Sequence, residues 1–226
     1  MWIYEKRLQY PVNITKTDAG IAKIIASQYG GPDGEIGASM RYLSQRFTAP
    51  NRVCMAVLTD VATEELGHLE MVSTIVHQLT ANLTVEEIEN QGFADYYVDH
   101  AVGIWPQSAG GIPFNSCEFQ SKGDPITDMF ESMAAEQKAR STYDNILRVV
   151  RDIPEIADPI RFLRAREVVH FQRFGEANRE DCSKISKVQK AHKSSTFEKS
   201  LTVRTFTGRR HKPPYLLNTS KKYNME

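Results

Sequence analysis

The 226-residue chain has few cysteines, no long apolar run and no net charge. Cys54, Cys117 and Cys182 lie far apart and form no C-x-x-C pair. That argues against a disulfide framework and against a thiolate metal site, and it fits a reducing compartment. No stretch approaches the roughly 20 consecutive apolar residues that span a bilayer. The first residues, Met1-Trp2-Ile3-Tyr4-Glu5-Lys6-Arg7, lack the apolar centre of a secretory signal. The expectation is a cytoplasmic, soluble protein with no membrane and no nucleic acid among its partners. At this length one well-buried core is expected rather than two full domains.

The neutrality conceals an asymmetry. Residues 178–226 carry twelve Lys and Arg against four Asp and Glu, net +8, which leaves residues 1–177 at −8. An acidic body with a basic tail points to two segments under different constraints.

Breakers mark out the helices. Residues 1–16 read as extended and lead to Asp18, where a helical pattern begins and runs to about Phe47, interrupted at Gly30-Gly31-Pro32-Asp33-Gly34. Thr48-Ala49-Pro50-Asn51 ends it, and a second helix is expected from Arg52 to about Leu79. Residues 82–122 are rich in Gly, Pro, Asn and aromatics, with a short helical signal only near Val85-Glu86-Glu87-Ile88. A connection of this length suits a crossover between two helical hairpins. Asp124-Pro125 and Asp158-Pro159 each place an N-cap acid before a proline, which predicts a third helix from Pro125 to about Arg151 and a fourth from Pro159 to about Asn178.

Within these helices one pattern occurs twice. Glu65-Leu66-Gly67-His68 and Glu167-Val168-Val169-His170 are both E-x-x-H, a spacing that puts the two side chains on one helix face. A single copy is weak evidence, since Glu and His three apart occur on solvated helices and a lone core histidine is ordinary. Glu35, however, precedes Glu65 by thirty residues, and Glu136 precedes Glu167 by thirty-one. Each half of the chain is therefore a hairpin with one Glu on its first helix and E-x-x-H on its second, the ligand arrangement of two-metal carboxylate bundles. Apolar stripes carry these residues: Leu58, Val61, Glu65, His68 and Val72 on the second helix, and Ile160, Leu163, Glu167, His170 and Phe174 on the fourth. Buried carboxylates need a compensating charge, which two divalent ions would supply. Carboxylate and imidazole without thiolate suit manganese or iron better than zinc or copper(I). The predicted metal ligands are Glu35, Glu65, His68, Glu136, Glu167 and His170. His77 and His100 read as structural or exposed, His192 and His211 as solvated.

With these motifs in place the chain resembles the manganese catalases, and among them the short members associated with the bacterial spore coat. The resemblance rests on Lys6-Arg7-Leu8-Gln9-Tyr10-Pro11, Gly30-Gly31-Pro32-Asp33-Gly34-Glu35, Arg41-Tyr42-Leu43-Ser44-Gln45-Arg46 and Thr63-Glu64-Glu65-Leu66-Gly67-His68-Leu69-Glu70-Met71. It continues through Ser121-Lys122-Gly123-Asp124-Pro125, Ala135-Glu136-Gln137-Lys138-Ala139-Arg140 and Arg166-Glu167-Val168-Val169-His170-Phe171-Gln172-Arg173-Phe174. It implies an all-α, ferritin-like four-helix bundle over residues 1–177, disproportionation of hydrogen peroxide, two manganese ions and a homo-oligomer, a hexamer in the family. Glu35 and His68 would hold one ion, Glu136 and His170 the other, with Glu65 bridging. Glu167 would handle protons at the edge of the ligand set, and Tyr42 would hydrogen-bond from outside it. Some members of the family carry Arg before the third-helix glutamate, where this chain has Ala135.

No resemblance is evident from about Asn178. Residues 178–226 read either as a basic, flexible extension or frame-shifted end, or as a basic arm for coat assembly or an acidic partner. Two other readings use the same scaffold: a di-iron oxidase or peroxidase, and a structural coat protein with little activity that works with other spore-coat proteins.

Overall fold

The computed structural model describes residue 5 and residues 7–192, with side chains as far as Arg179. Among the described residues the protein is all helical, apart from one isolated bridge between Gln107 and Pro113. Contacts divide the chain into two units, residues 1–187 and 188–226, and the bundle lies in the first.

The first bundle helix is interrupted at the glycine cluster, as expected, and the interruption is a break. α1 spans Ala19–Ile25, α2 Ser27–Gly30 and α3 Glu35–Gln45, followed by a 3-10 turn over Arg46–Thr48. Asp18 caps α1 by accepting from the Ile21 amide at 2.8 Å. α4 runs Arg52–Thr80, capped by Asn51, whose side chain accepts from the Val53 and Cys54 amides. α7 runs Pro125–Val150 behind the expected Asp124 cap and N1 proline. α8 runs Pro154–His192.

The crossover contains more helix than its composition suggests. α5 (Val85–Asn90) has a capping box between Thr84 and Glu87, whereas α6 (Ala94–His100) has no side-chain cap. Aromatic and β-branched residues give α6 weak intrinsic propensity. Phe93 and Tyr96, packed with Ala19 and Ile88, hold it from outside. Gly30 receives the returning crossover: a Cβ there would lie 2.3 Å from the Pro106 carbonyl carbon.

The fourth bundle helix departs from expectation at both ends. It starts at Pro154 rather than Pro159, because the Ile153 carbonyl already accepts from the Ile156 and Ala157 amides. Ile156 and Ala157 are buried with Ile160 and Leu163, so this first turn is held by apolar burial. Asp158 pairs with Arg161 instead of capping, and Pro159 forfeits one hydrogen bond inside the helix. At the other end the helix passes Asn178 and continues to His192, through a stretch with no glycine or proline to stop it. The rest of the predicted extension, residues 193–226 with His211, lies outside the described residues.

Two apolar clusters fill the bundle. One joins Ile21, Ile25, Met71, Val72, Ile75, Leu79, Ile146, Val150, Ile156, Ile160 and Leu163. The other joins Cys54, Leu58, Val61, Ala62, Met129, Phe174 and Ala177. Along α4, α7 and α8 the residues between these clusters are the predicted ligands. The ordering makes a polar layer sealed above and below by hydrocarbon.

Candidate metal centre

Four helices each place one carboxylate in that layer, and two of them add a histidine. Glu35 opens α3, at a helix N-terminus that favours negative charge. Glu65 and His68 come from α4, Glu136 from α7, Glu167 and His170 from α8. All six are buried, none exposing more than 2% of its surface.

Glu65 is at the centre. Its Oε2 lies 2.7 Å from His68 Nδ1 and its Oε1 2.8 Å from His170 Nδ1. The imidazoles stack at 5.4 Å between centroids. Glu35 Oε2 is 3.9 Å from His68 Nδ1, and Glu136 Oε2 is 3.4 Å from His170 Nδ1. Each histidine thus has one terminal carboxylate of its own and shares Glu65. Glu167 Oε1 approaches His68 Nδ1 at 3.9 Å, which breaks the symmetry between the halves.

Two tyrosines brace the terminal carboxylates, and their arrangement extends the repeat. Tyr42 lies seven residues after Glu35, and Tyr143 seven after Glu136. Each donates its hydroxyl to the glutamate of the other hairpin, Tyr42 to Glu136 and Tyr143 to Glu35. Sequence reasoning singled out Tyr42 and assigned nothing to Tyr143, although E-x(6)-Y occurs twice. It also assigned nothing to Glu64, which lies against the outer edges of both imidazoles.

Electrostatics shows what the cluster lacks. Burial pushes Glu35, Glu136 and Glu167 above the usual carboxylate range, and neighbouring glutamates push them further. Burial pushes Glu65 the same way, but the two imidazoles outweigh it and hold that group well below the usual range. Burial alone would lower both histidines; Glu65 overrides it, raising His68 to about 9 and His170 to about 12. Burial and the adjacent carboxylates raise both tyrosines far above their ordinary range, so they remain donors.

Although they lie within ion-pair distance of neighbours, several buried polar atoms of this layer make no well-aligned hydrogen bond among the described residues: Glu65 Oε1, Glu136 Oε2, Glu167 Oε1 and His170 Nδ1. Ligand atoms of Glu65, His68, Glu167 and His170 lie within 4.8 Å of one another. Unpaired buried carboxylates are costly. Oxygen and imidazole donors converging on one another fit hard or borderline divalent cations. A narrow cleft of about 10 Å³ lies beside this layer, lined by Arg41, Tyr42, Ala135, Glu136, Ala139 and Glu167. The small side chain at Ala135 borders it directly.

Comparison with known proteins agrees with this geometry. The family described as manganese containing catalase matches residues 1–209. Protein CotJC of Bacillus subtilis is 48% identical over 177 residues, covering 78% of this chain and 93% of that protein. A probable manganese catalase of Clostridium acetobutylicum is 29% identical, covering 78% and 79%. The crystal structure of KatB, a manganese catalase from Anabaena, shares the ferritin-like bundle with a TM-score of 0.72 at 24% identity, covering 99% of this chain and 94% of that one. Broken first helix, long crossover, duplicated Glu and E-x-x-H spacing and a match along most of its length lead to one conclusion: the chain belongs to the manganese catalase family.

Proposed function

We propose that the protein binds two manganese ions and disproportionates hydrogen peroxide to water and oxygen as a component of the spore coat. The observation that carries this reading is the Glu65 carboxylate set between two imidazoles, each backed by its own terminal glutamate. Glu35 and His68 would hold one ion, Glu136 and His170 the other, and Glu65 both. Bound manganese would supply the two electrons that peroxide disproportionation passes back and forth, and the Lewis acidity that makes bound peroxide a better acid.

The chain's own groups do the rest. Glu167 lines the cleft, and its carboxyl tends to hold a proton, so it can give that proton to one oxygen of the substrate and, once ionised, take one back from the other. Tyr42 and Tyr143 fix the orientation of Glu136 and Glu35. The two apolar clusters keep bulk water from the layer, and the narrow cleft beside Glu167 is the side from which a small substrate would approach. Similarity to CotJC supports the coat location, and homo-oligomer formation follows the family; light scattering of the purified protein, well above the 25.6 kDa chain mass, checks the latter.

Metal analysis of protein produced with both metals supplied, paired with oxygen evolution from peroxide, tests the function. Two manganese ions per chain with oxygen release are expected. Bound iron without oxygen release would overturn the manganese reading in favour of a di-iron oxidase. Manganese without turnover would leave the coat role structural.

A further inference from the structure

Both histidines turn Nδ1 toward Glu65, so both present Nε2 to the opposite side of the layer. Neither Nε2 reaches solvent, since each histidine is fully buried, and neither has a well-aligned hydrogen bond among the described residues. One group faces them both. Glu64 Oε2 lies 3.2 Å from His170 Nε2, and Glu64 Oε1 lies 3.7 Å from His68 Nε2. Its two oxygens are thus divided between the two imidazoles, one on its own helix and one on α8.

Glu64 is itself held. Arg166 Nε donates to Oε1 at 2.6 Å and Arg166 Nη2 to Oε2 at 3.1 Å, a two-pronged pairing that fixes the plane of the carboxylate. Arg173 Nη1 stands 4.0 Å from Oε2. The pairing follows from the duplicated pattern. Glu64 is the residue before the first E-x-x-H and Arg166 the residue before the second. Equivalent positions of the two halves therefore carry opposite charges and meet across the α4–α8 contact. Arg166 cancels the charge of Glu64, so the acceptor adds no net charge to a layer already rich in carboxylates.

We propose that Glu64, clamped by Arg166, is the shared positioning residue of the metal centre: one carboxylate accepts from Nε2–H of both His68 and His170 and keeps both Nδ1 lone pairs turned inward. A histidine ligand donating its second N–H to a carboxylate is held in one tautomer and one ring orientation. Here a single carboxylate does this for two ligands belonging to two different ions. The inference rests on the two-ion reading given above.

Manganese(II) titration of the full chain, followed by low-temperature EPR, tests it. Wild-type protein should take up two ions and show the spectrum of two manganese ions in magnetic contact; failure there defeats the two-ion reading itself. Glu64→Ala should weaken binding about 10- to 100-fold, the effect of losing a histidine's outer partner. Glu64→Gln keeps one acceptor oxygen and turns an amide NH₂ toward the other imidazole. Whichever way the amide settles, one histidine is left with the wrong tautomer. The titration should then split into one tight and one weak step, with a single-ion spectrum at one equivalent. Circular dichroism confirms that each variant is folded. Folded Glu64→Ala with wild-type affinity and spectrum overturns the proposal. So does a Gln variant that weakens both ions equally, because loss of packing alone would not separate them.

Discussion

At the scale of single residues, the candidate centre is a near-symmetric set of carboxylates and imidazoles made unequal by its surroundings. Glu65 and Glu167 occupy the same place in the two E-x-x-H motifs, yet their proton affinities are driven apart. Glu65 sits between two imidazoles that keep it ionised, whereas Glu167 faces Glu136, Glu65 and Glu35. Groups pushed apart in this way divide between ligand and proton carrier. Glu167→Gln should lower the rate of oxygen evolution by about 100-fold or more, the usual contribution of a positioned acid–base group. Manganese content should be unchanged; loss of an ion would make Glu167 a ligand rather than a proton carrier. That all six side chains meet was legible from spacing alone, since helical hairpins of equal length bring equivalent positions to one level. Which oxygen faces which nitrogen was not legible, because it depends on how each helix is rotated about its axis.

At the scale of elements, the site depends on how the broken first helix is seated. Glu35 opens α3 immediately after the Gly30–Gly34 break, and the crossover returns against that break at Pro106 and Gln107. Gly30→Ala would drive a methyl group into the Pro106 backbone. The expected cost is about 1–3 kcal/mol, as for other overpacked sites. At roughly 2–4 °C per kcal/mol for a chain of this size, calorimetry should show the melting temperature fall by several degrees. An unchanged melting temperature would mean that the crossover is not seated on Gly30. Helix limits set by side-chain caps, Asp18, Asn51 and Asp124, were readable from sequence. Those set by tertiary burial were not: α6 is held by Phe93 and Tyr96, and the first turn of α8 by Ile156 and Ala157.

At the scale of the whole molecule, stability and metal binding respond to pH in opposite directions. In the metal-free protein His68 has its proton affinity raised from 6.5 to about 9. The stability it adds is complete below pH 6.5 and is lost as pH rises through about 9. Glu35, Glu136 and Glu167, also raised, lose stabilisation in the same direction above the ordinary carboxyl value of 4.5. Glu64 and Glu65 run the other way, contributing above 4.5 and losing it in acid. Metal-free protein should therefore be most stable near pH 4.5 and melt progressively earlier toward pH 9. On the proposed reading manganese would displace those same protons, and its affinity would rise with pH. Free manganese at a thousand times its dissociation constant stabilises by about 4 kcal/mol, or roughly 10 °C of melting temperature. The gap between loaded and metal-free melting curves should widen steadily from pH 6.5 to 9. A gap independent of pH would mean that the binding groups release no protons.

The sequence by itself determined the architecture and the convergence of the acids and imidazoles. Amphipathic period, capping residues and the duplicated spacing of Glu35, Glu65, His68 with Glu136, Glu167, His170 are local properties, written in the order of residues. Tertiary structure decided the relations between the two halves. It crossed the tyrosine braces, so that Tyr42 supports Glu136 and Tyr143 supports Glu35. It joined Glu64 to Arg166 and set that carboxylate against both histidines. Such pairings depend on helix rotation and packing distance, which arise only when the two hairpins close on one another.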